Sequence, residues 1–161
     1  MSRFHTLLLD DERAQLEACL DDQRAEIARL LDGLTEEEAR RSLVPSLTTL
    51  LGLVKHATFV EQVWFPVALG GRTRAEIGVP ETVDESFTLT DDDTVASVGE
   101  RYRRVCEESR TLAAGFGLDD QARHNRRGPL TLRWIHIHLI QELARHAGHG
   151  DILREQVLAA R

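Results

Sequence analysis

Little in this chain would staple it or anchor it in a membrane. Only two cysteines occur in 161 residues, Cys19 and Cys106, far apart and without a CxxC spacing. That argues against a disulfide framework. Both fall at apolar positions of helical patterns, where reduced core thiols are expected. No apolar run approaches the ~18 residues that span a bilayer. The short Leu7-Leu8-Leu9 run meets Asp10, Asp11 and Glu12 and lacks the make-up of a cleavable signal. A cytoplasmic location fits best. Aromatic residues are scarce at 5%, so no stacking platform for single-stranded nucleic acid is expected. Basic residues are outnumbered, 20 against 27 acidic, for a net charge of −7. That balance argues against a general nucleic-acid binder, though a local basic site remains open. Neither GxSxG, nor a P-loop, nor a GxGxxG followed by a suitable acid occurs.

Hydrophobic residues at 42% and charged residues at 29% describe a chain that folds without staples and stays in solution. Its length predicts one domain, residues 1–161. Four long segments carry helical periodicity. The first runs from about Asp11 to Asp32 on Leu16, Cys19, Leu20, Ile27, Leu30 and Leu31, with Gly33 as its stop. Thr35 and Glu38 then form a capping-box pattern before a brief helix. The second starts near Ser46 or Thr48 and runs toward Phe65, where Pro66 should stop or kink it. Residues 70 to 89 look irregular, either as cover for a site or as a plain crossover between helices. The third helix is expected from about Thr90, with Asp91, Asp92 and Asp93 at the positive end of its dipole, to Gly115. After an arginine-rich loop, Thr131 caps the fourth, which extends to about Val157. No convincing strand pair intervenes. The pattern predicts an all-α protein, a four-helix bundle with a long crossover connection.

The fourth helix holds the main clue. His138, Glu142, His146 and His149 fall within an arc of roughly 80° on its surface. Ile135 and Leu153 share that arc, so metal-binding groups stud a stripe that should be plain core. Glu142 and His146, four residues apart, offer two ligands to one ion. A buried carboxylate needs a cation; the alternative is an ion pair with Arg145, Arg24 or Arg29. A third ligand should come from another helix, and His56, set among Leu53, Val54, Ala57, Phe59 and Val60, is the best placed. A core histidine bonded to a carbonyl is the alternative. His138 or His149 could replace a ligand or orient one. His136 points about 160° away from His138 and is expected at the surface or an interface. His5 and His124 are expected in solvent, without chemistry.

The stretches SLTTLLGLVKHATFVEQVWF around His56 and LRWIHIHLIQELARHAGHGDILRE around Glu142 and His146 resemble the DinB/YfiT-like four-helix-bundle superfamily of metalloenzymes. Its members hold a metal with one histidine on the second helix and two ligands four apart on the last. Many use HxxxH for the pair. Glu142 in the first position resembles the mycothiol-dependent maleylpyruvate isomerase branch, which uses ExxxH. The resemblance implies a divalent metal on His56, Glu142 and His146, zinc first, with nickel, iron or manganese as alternatives. It also implies a low-molecular-weight thiol such as mycothiol or bacillithiol as cosubstrate, and a homodimer as in many relatives. Three protein ligands leave a position open, the catalytic pattern. The leading expectation is a thiol S-transferase or thiol-assisted isomerase acting on a small electrophile, with no nucleic acid or membrane partner. A metal-stabilised bundle without catalysis and a metal-dependent hydrolase are the alternatives. Arg123, Arg126 and Arg127 could bind an anionic substrate at the mouth of the bundle.

Overall fold

The structure, a computed structural model, describes residues 4–161; residues 1–3 of the expected domain lie outside that range. After a 3-10 turn at Phe4–Thr6 come α1 (Glu12–Arg29), α2 (Glu36–Arg40) and α3 (Leu50–Gln62). A π-helical segment, Val63–Leu69, continues α3 directly. Then follow α4 (Arg74–Ile77), α5 (Val83–Phe87), α6 (Val95–Ala113), β1 (Gln121–Ala122), β2 (Leu130–Thr131) and α7 (Leu132–Ala159). The molecule is mostly helical, and β1 and β2 pair antiparallel over two residues each, a contact the sequence does not announce. No helix among the described residues is long and apolar enough to cross a membrane.

The helix starts follow their caps. Asp11 accepts from Ala14 N–H, Thr49 from Gly52 N–H and Thr131 from Trp134 N–H. Each side chain satisfies one amide that the first turn leaves open. The Thr35–Glu38 capping box forms as expected. Residues 70 to 89 are more ordered than expected: Thr73 with Glu76 and Thr82 with Glu85 make two further capping boxes, which start α4 and α5. The third long helix begins later than expected, because Thr94 is its cap. Asp93 turns instead to Lys55 Nζ at 2.7 Å and to Thr90 N–H at 2.7 Å. Pro66 does not end the second helix. The chain widens there, and Gly70 N–H reaches back to Phe65 C=O at 2.8 Å. The wider π turn accommodates a proline whose nitrogen has no hydrogen to donate.

α3 is buried on every side; only Lys55 among its residues is not. It packs against α1, α6 and α7, while α7 also lies along α1. A helix without a wet face places its polar residues in the core, and each must find a partner. Thr58 donates to Val54 C=O at 3.0 Å. Glu61, 0% exposed, takes a two-pronged bond from Arg24 of α1, at 2.8 Å on each oxygen. That pair overturns one alternative for Glu142, since Arg24 is committed elsewhere; Arg29 bonds Glu26. Gly52 lets the end of α5 approach closely, because a Cβ there would sit 3.2 Å from Phe87 C=O.

Neither thiol bonds to another. Cys106 is buried as expected, and burial together with the Glu61 carboxylate pushes its thiol up to about 12. Cys19 is only half-buried, a partial correction to its reading as core.

One contact ties the fold to pH. The Arg161 guanidinium donates to Glu38 at 2.9 Å, and Thr35 N–H donates at 2.8 Å. Together they lower that carboxyl from 4.5 to about 2. A depressed folded value adds stability above the unfolded value, and that stability disappears as pH falls through the folded one. Urea midpoints of the unmodified protein should therefore drop between pH 4.5 and about 2. Glu38→Gln should remove part of that drop.

Candidate metal centre

His56 enters the core because α3 has no exposed face. Its Nδ1 lies 2.8 Å from Ser86 Oγ, on α5. The Ser86 hydroxyl donates its one hydrogen to Val83 C=O. Ser86 can then only accept from His56, so the proton sits on Nδ1 and Nε2 keeps its lone pair. Phe87 stacks on the same ring, 4.1 Å between centroids and 11° from parallel. The imidazole is fixed in both tautomer and direction. Burial lowers its pKa, although Glu142 works against that, so it favours the neutral form that ligates metals.

Glu142 and His146 lie one turn apart on α7. Glu142 Oε1 is 3.1 Å from His146 Nε2 and 3.8 Å from His56 Nε2. Hydrogen bonding from His146 holds this half-buried carboxyl well below the usual range, the nearby His56 ring acting in the same direction against the opposing pull of burial. Arg145 approaches at 3.7 Å, but on the other oxygen, Oε2. The ion pair foreseen as an alternative is therefore present and leaves Oε1 facing the two rings. The three residues offer ligand atoms that all lie within 4.8 Å of one another. His146 Nδ1 is buried with no hydrogen-bond partner, so protein contacts alone leave that ring unsatisfied. Two imidazoles and an ionised carboxylate suit a divalent ion of the zinc class.

The remaining histidines separate clearly. His138 lines the same pocket but stacks on Trp134 at 4.8 Å and meets Trp64 edge-on at 4.9 Å. His149 is exposed, its ring 5.9 Å from that of His146. His136 corrects the sequence reading: it is 2% exposed, not at a surface. Its Nδ1 lies 3.0 Å from Leu132 C=O, and Phe65 packs against its edge. The two-sided burial of α7 between α1 and α3 overrides the single stripe assumed for that helix. His5 and His124 are exposed, as expected.

A cavity of about 720 Å³ opens beside the three residues. Phe59, Val60, Trp64 and Phe87 supply apolar wall, and Arg74, Arg126 and Arg127 also line it. Arg123 of the same loop does not.

A family model described as mycothiol-S-transferase matches residues 15–159. The chain belongs to the mycothiol-S-transferase family. That family is DinB/YfiT-like, in agreement with the resemblance of the two sequence blocks. A search of the curated proteins finds no match. In this mycothiol-S-transferase family member the matched span includes α3, α5 and α7, all three elements that build the cluster.

Ser86 was not visible from the sequence as part of the site. The signal was the Thr82–Glu85 capping box, which fixes α5 and hence where Ser86 faces. Ser86→Ala should free the His56 tautomer and weaken metal affinity about 10- to 100-fold. Competition with a chromogenic chelator measures this; unchanged affinity would remove Ser86 from the site.

Proposed function

We propose that the protein is a zinc-dependent enzyme that transfers a low-molecular-weight thiol, mycothiol, to an electrophilic carbon. The observation that carries this reading is the convergence of His56, Glu142 and His146 on the wall of a roomy, open pocket in a chain of this family. In this reading His56 offers Nε2, His146 an imidazole nitrogen and Glu142 an ionised oxygen to the cation. Ser86 holds the His56 tautomer. Bound there, a divalent cation supplies the acidity that makes a thiol a thiolate near neutral pH. Phe59, Trp64 and Phe87 offer the electrophile an apolar wall. The thiol proton leaves to solvent. The sulfur electron pair forms the C–S bond, and the leaving group departs with the pair of its own broken bond.

The same reading takes the four long helices as one DinB-type bundle domain, with the chain between α3 and α6 as its crossover. It places the protein in the cytoplasm as a homodimer, with Cys19 and Cys106 reduced. His149 or His138 would serve as substitute or supporting groups. The test is turnover of mycothiol with 1-chloro-2,4-dinitrobenzene, followed as thioether and released chloride. Activity should vanish on chelation and return with zinc. Loss of thermal stability on chelation, with no thiol binding to the metal-loaded protein, would make the metal structural instead. Turnover of an ester without added thiol would make the protein a hydrolase.

A further inference from the structure

The pocket that holds the three ligand candidates also carries an arginine rim. Arg74, Arg126 and Arg127 line it, yet none of them pairs with a carboxylate among the described residues. Arg74 spends its hydrogens on the carbonyls of Pro80 and Glu81 and lies over Phe59. Arg127 lies over Trp134, 5.7 Å from the ring centre. In a chain of net charge −7, three arginines without a carboxylate partner converge on this one pocket.

The loop that presents two of them is built rather than loose. β1 and β2 close its base. Asn125 Nδ2 donates to Gly128 C=O at 3.0 Å, and Asn125 Oδ1 accepts from Arg127 N–H at 2.9 Å. His124 N–H reaches Ala68 C=O at 3.4 Å, tying the loop to the end of the π segment.

The α7 helix gives a ruler. Trp134, His138, Glu142 and His146 stand on successive turns. An anion held over Trp134 by Arg127 would lie ~12 Å along the axis from Glu142. Between them Trp64 and His138 line the pocket, with Trp134 packed against both rings. The pocket therefore has a carboxylate end, an apolar middle and a cationic mouth.

We propose that the mouth is an anion seat: the electrophile taken by this pocket has an apolar, aromatic body and carries a carboxylate or similar compact anion, held by Arg126 and Arg127. This rests on the transferase reading, whose thiol would occupy the other end. Guanidinium is suited to the task because it grips a carboxylate through two parallel N–H bonds.

The experiment is isothermal titration at low salt of two isosteric probes, naphthalene-2-carboxylate and naphthalene-2-carboxamide, without thiol. Protein is used as purified and after dialysis against a chelator, beside the Arg126→Gln/Arg127→Gln double variant. Arg104→Gln, on the far-off surface of α6, is the control. The carboxylate should bind at least about tenfold more tightly than the amide. That preference should survive chelation, shrink at physiological ionic strength, persist in the control and fall toward one in the double variant. Equal binding of the two probes by the unmodified protein would overturn the proposal. So would a preference lost on chelation and kept in the double variant, since the metal would then be the anion's partner. Because no turnover is read, a failed transferase assay beside an intact carboxylate preference would sink the catalytic reading and leave the seat standing.

Discussion

Replacing His146 or His56 with alanine is expected to strip the protein of its metal. Each substitution removes one of three candidate donors that lie within 4.8 Å of one another. Two remaining donors close no site, and the loss should exceed the 10- to 100-fold typical of groups that only support a ligand, reaching about 1000-fold or more. Elemental analysis of dialysed protein should return one equivalent from the unmodified chain and a small fraction from either variant. Mycothiol transfer should fall with it. His138→Ala and His149→Ala serve as comparisons. His138 is held between two tryptophans and His149 is exposed, so either variant should keep most of its metal if those residues are not ligands. Full metal content in both His56→Ala and His146→Ala would remove the ligand assignment.

Glu61→Gln should be among the most destabilising single changes in the chain. The glutamine has the same shape but leaves the Arg24 guanidinium, 5% exposed, without its carboxylate. Burial opposes that charge, and Glu61 is what outweighs it, keeping the guanidinium firmly protonated. Asp21 stays bonded to Arg24 at 2.9 Å, but it is partly exposed and shared with Arg110. The face of Phe65, 5.5 Å away, adds a weaker attraction. Neither replaces a two-pronged buried ion pair. Breaking such a pair costs about 3–5 kcal/mol. For a domain of this size that lowers the melting temperature by on the order of 10 °C. Thermal unfolding measures it. The double change Arg24→Met/Glu61→Leu should recover most of the loss, because apolar residues of similar volume leave no stranded charge. A shift below about 1 kcal/mol for Glu61→Gln would mean that the guanidinium reaches water or another carboxylate.

Much of this was legible from the sequence. Caps at Thr35 and Thr131 are local chemistry and stood out as such, whereas the capping role of Asp11 came from the structure. The Glu142–His146 pair needed only the helical repeat. His56 needed a further step: a polar residue on an otherwise apolar helix must meet something, and here it meets the other two. What remained hidden depended on three-dimensional company. Pro66 reads as a stop or a kink because the rule for an α-helix does not foresee a π turn that carries the helix past it. Ser86 lies 30 residues from its partner His56. Arg24 and Glu61 are separated by 37, and nothing local in either segment names the other. His136 was misplaced because one stripe was assumed for a helix that is covered from two sides.

X-ray absorption at the zinc edge, taken with and without mycothiol, addresses the central claim most directly. Resting protein should show two imidazoles and a light oxygen donor around the zinc. Adding mycothiol should bring in one sulfur at about 2.3 Å. A spectrum of oxygen donors alone, indifferent to mycothiol and unchanged in His56→Ala, would contradict the account.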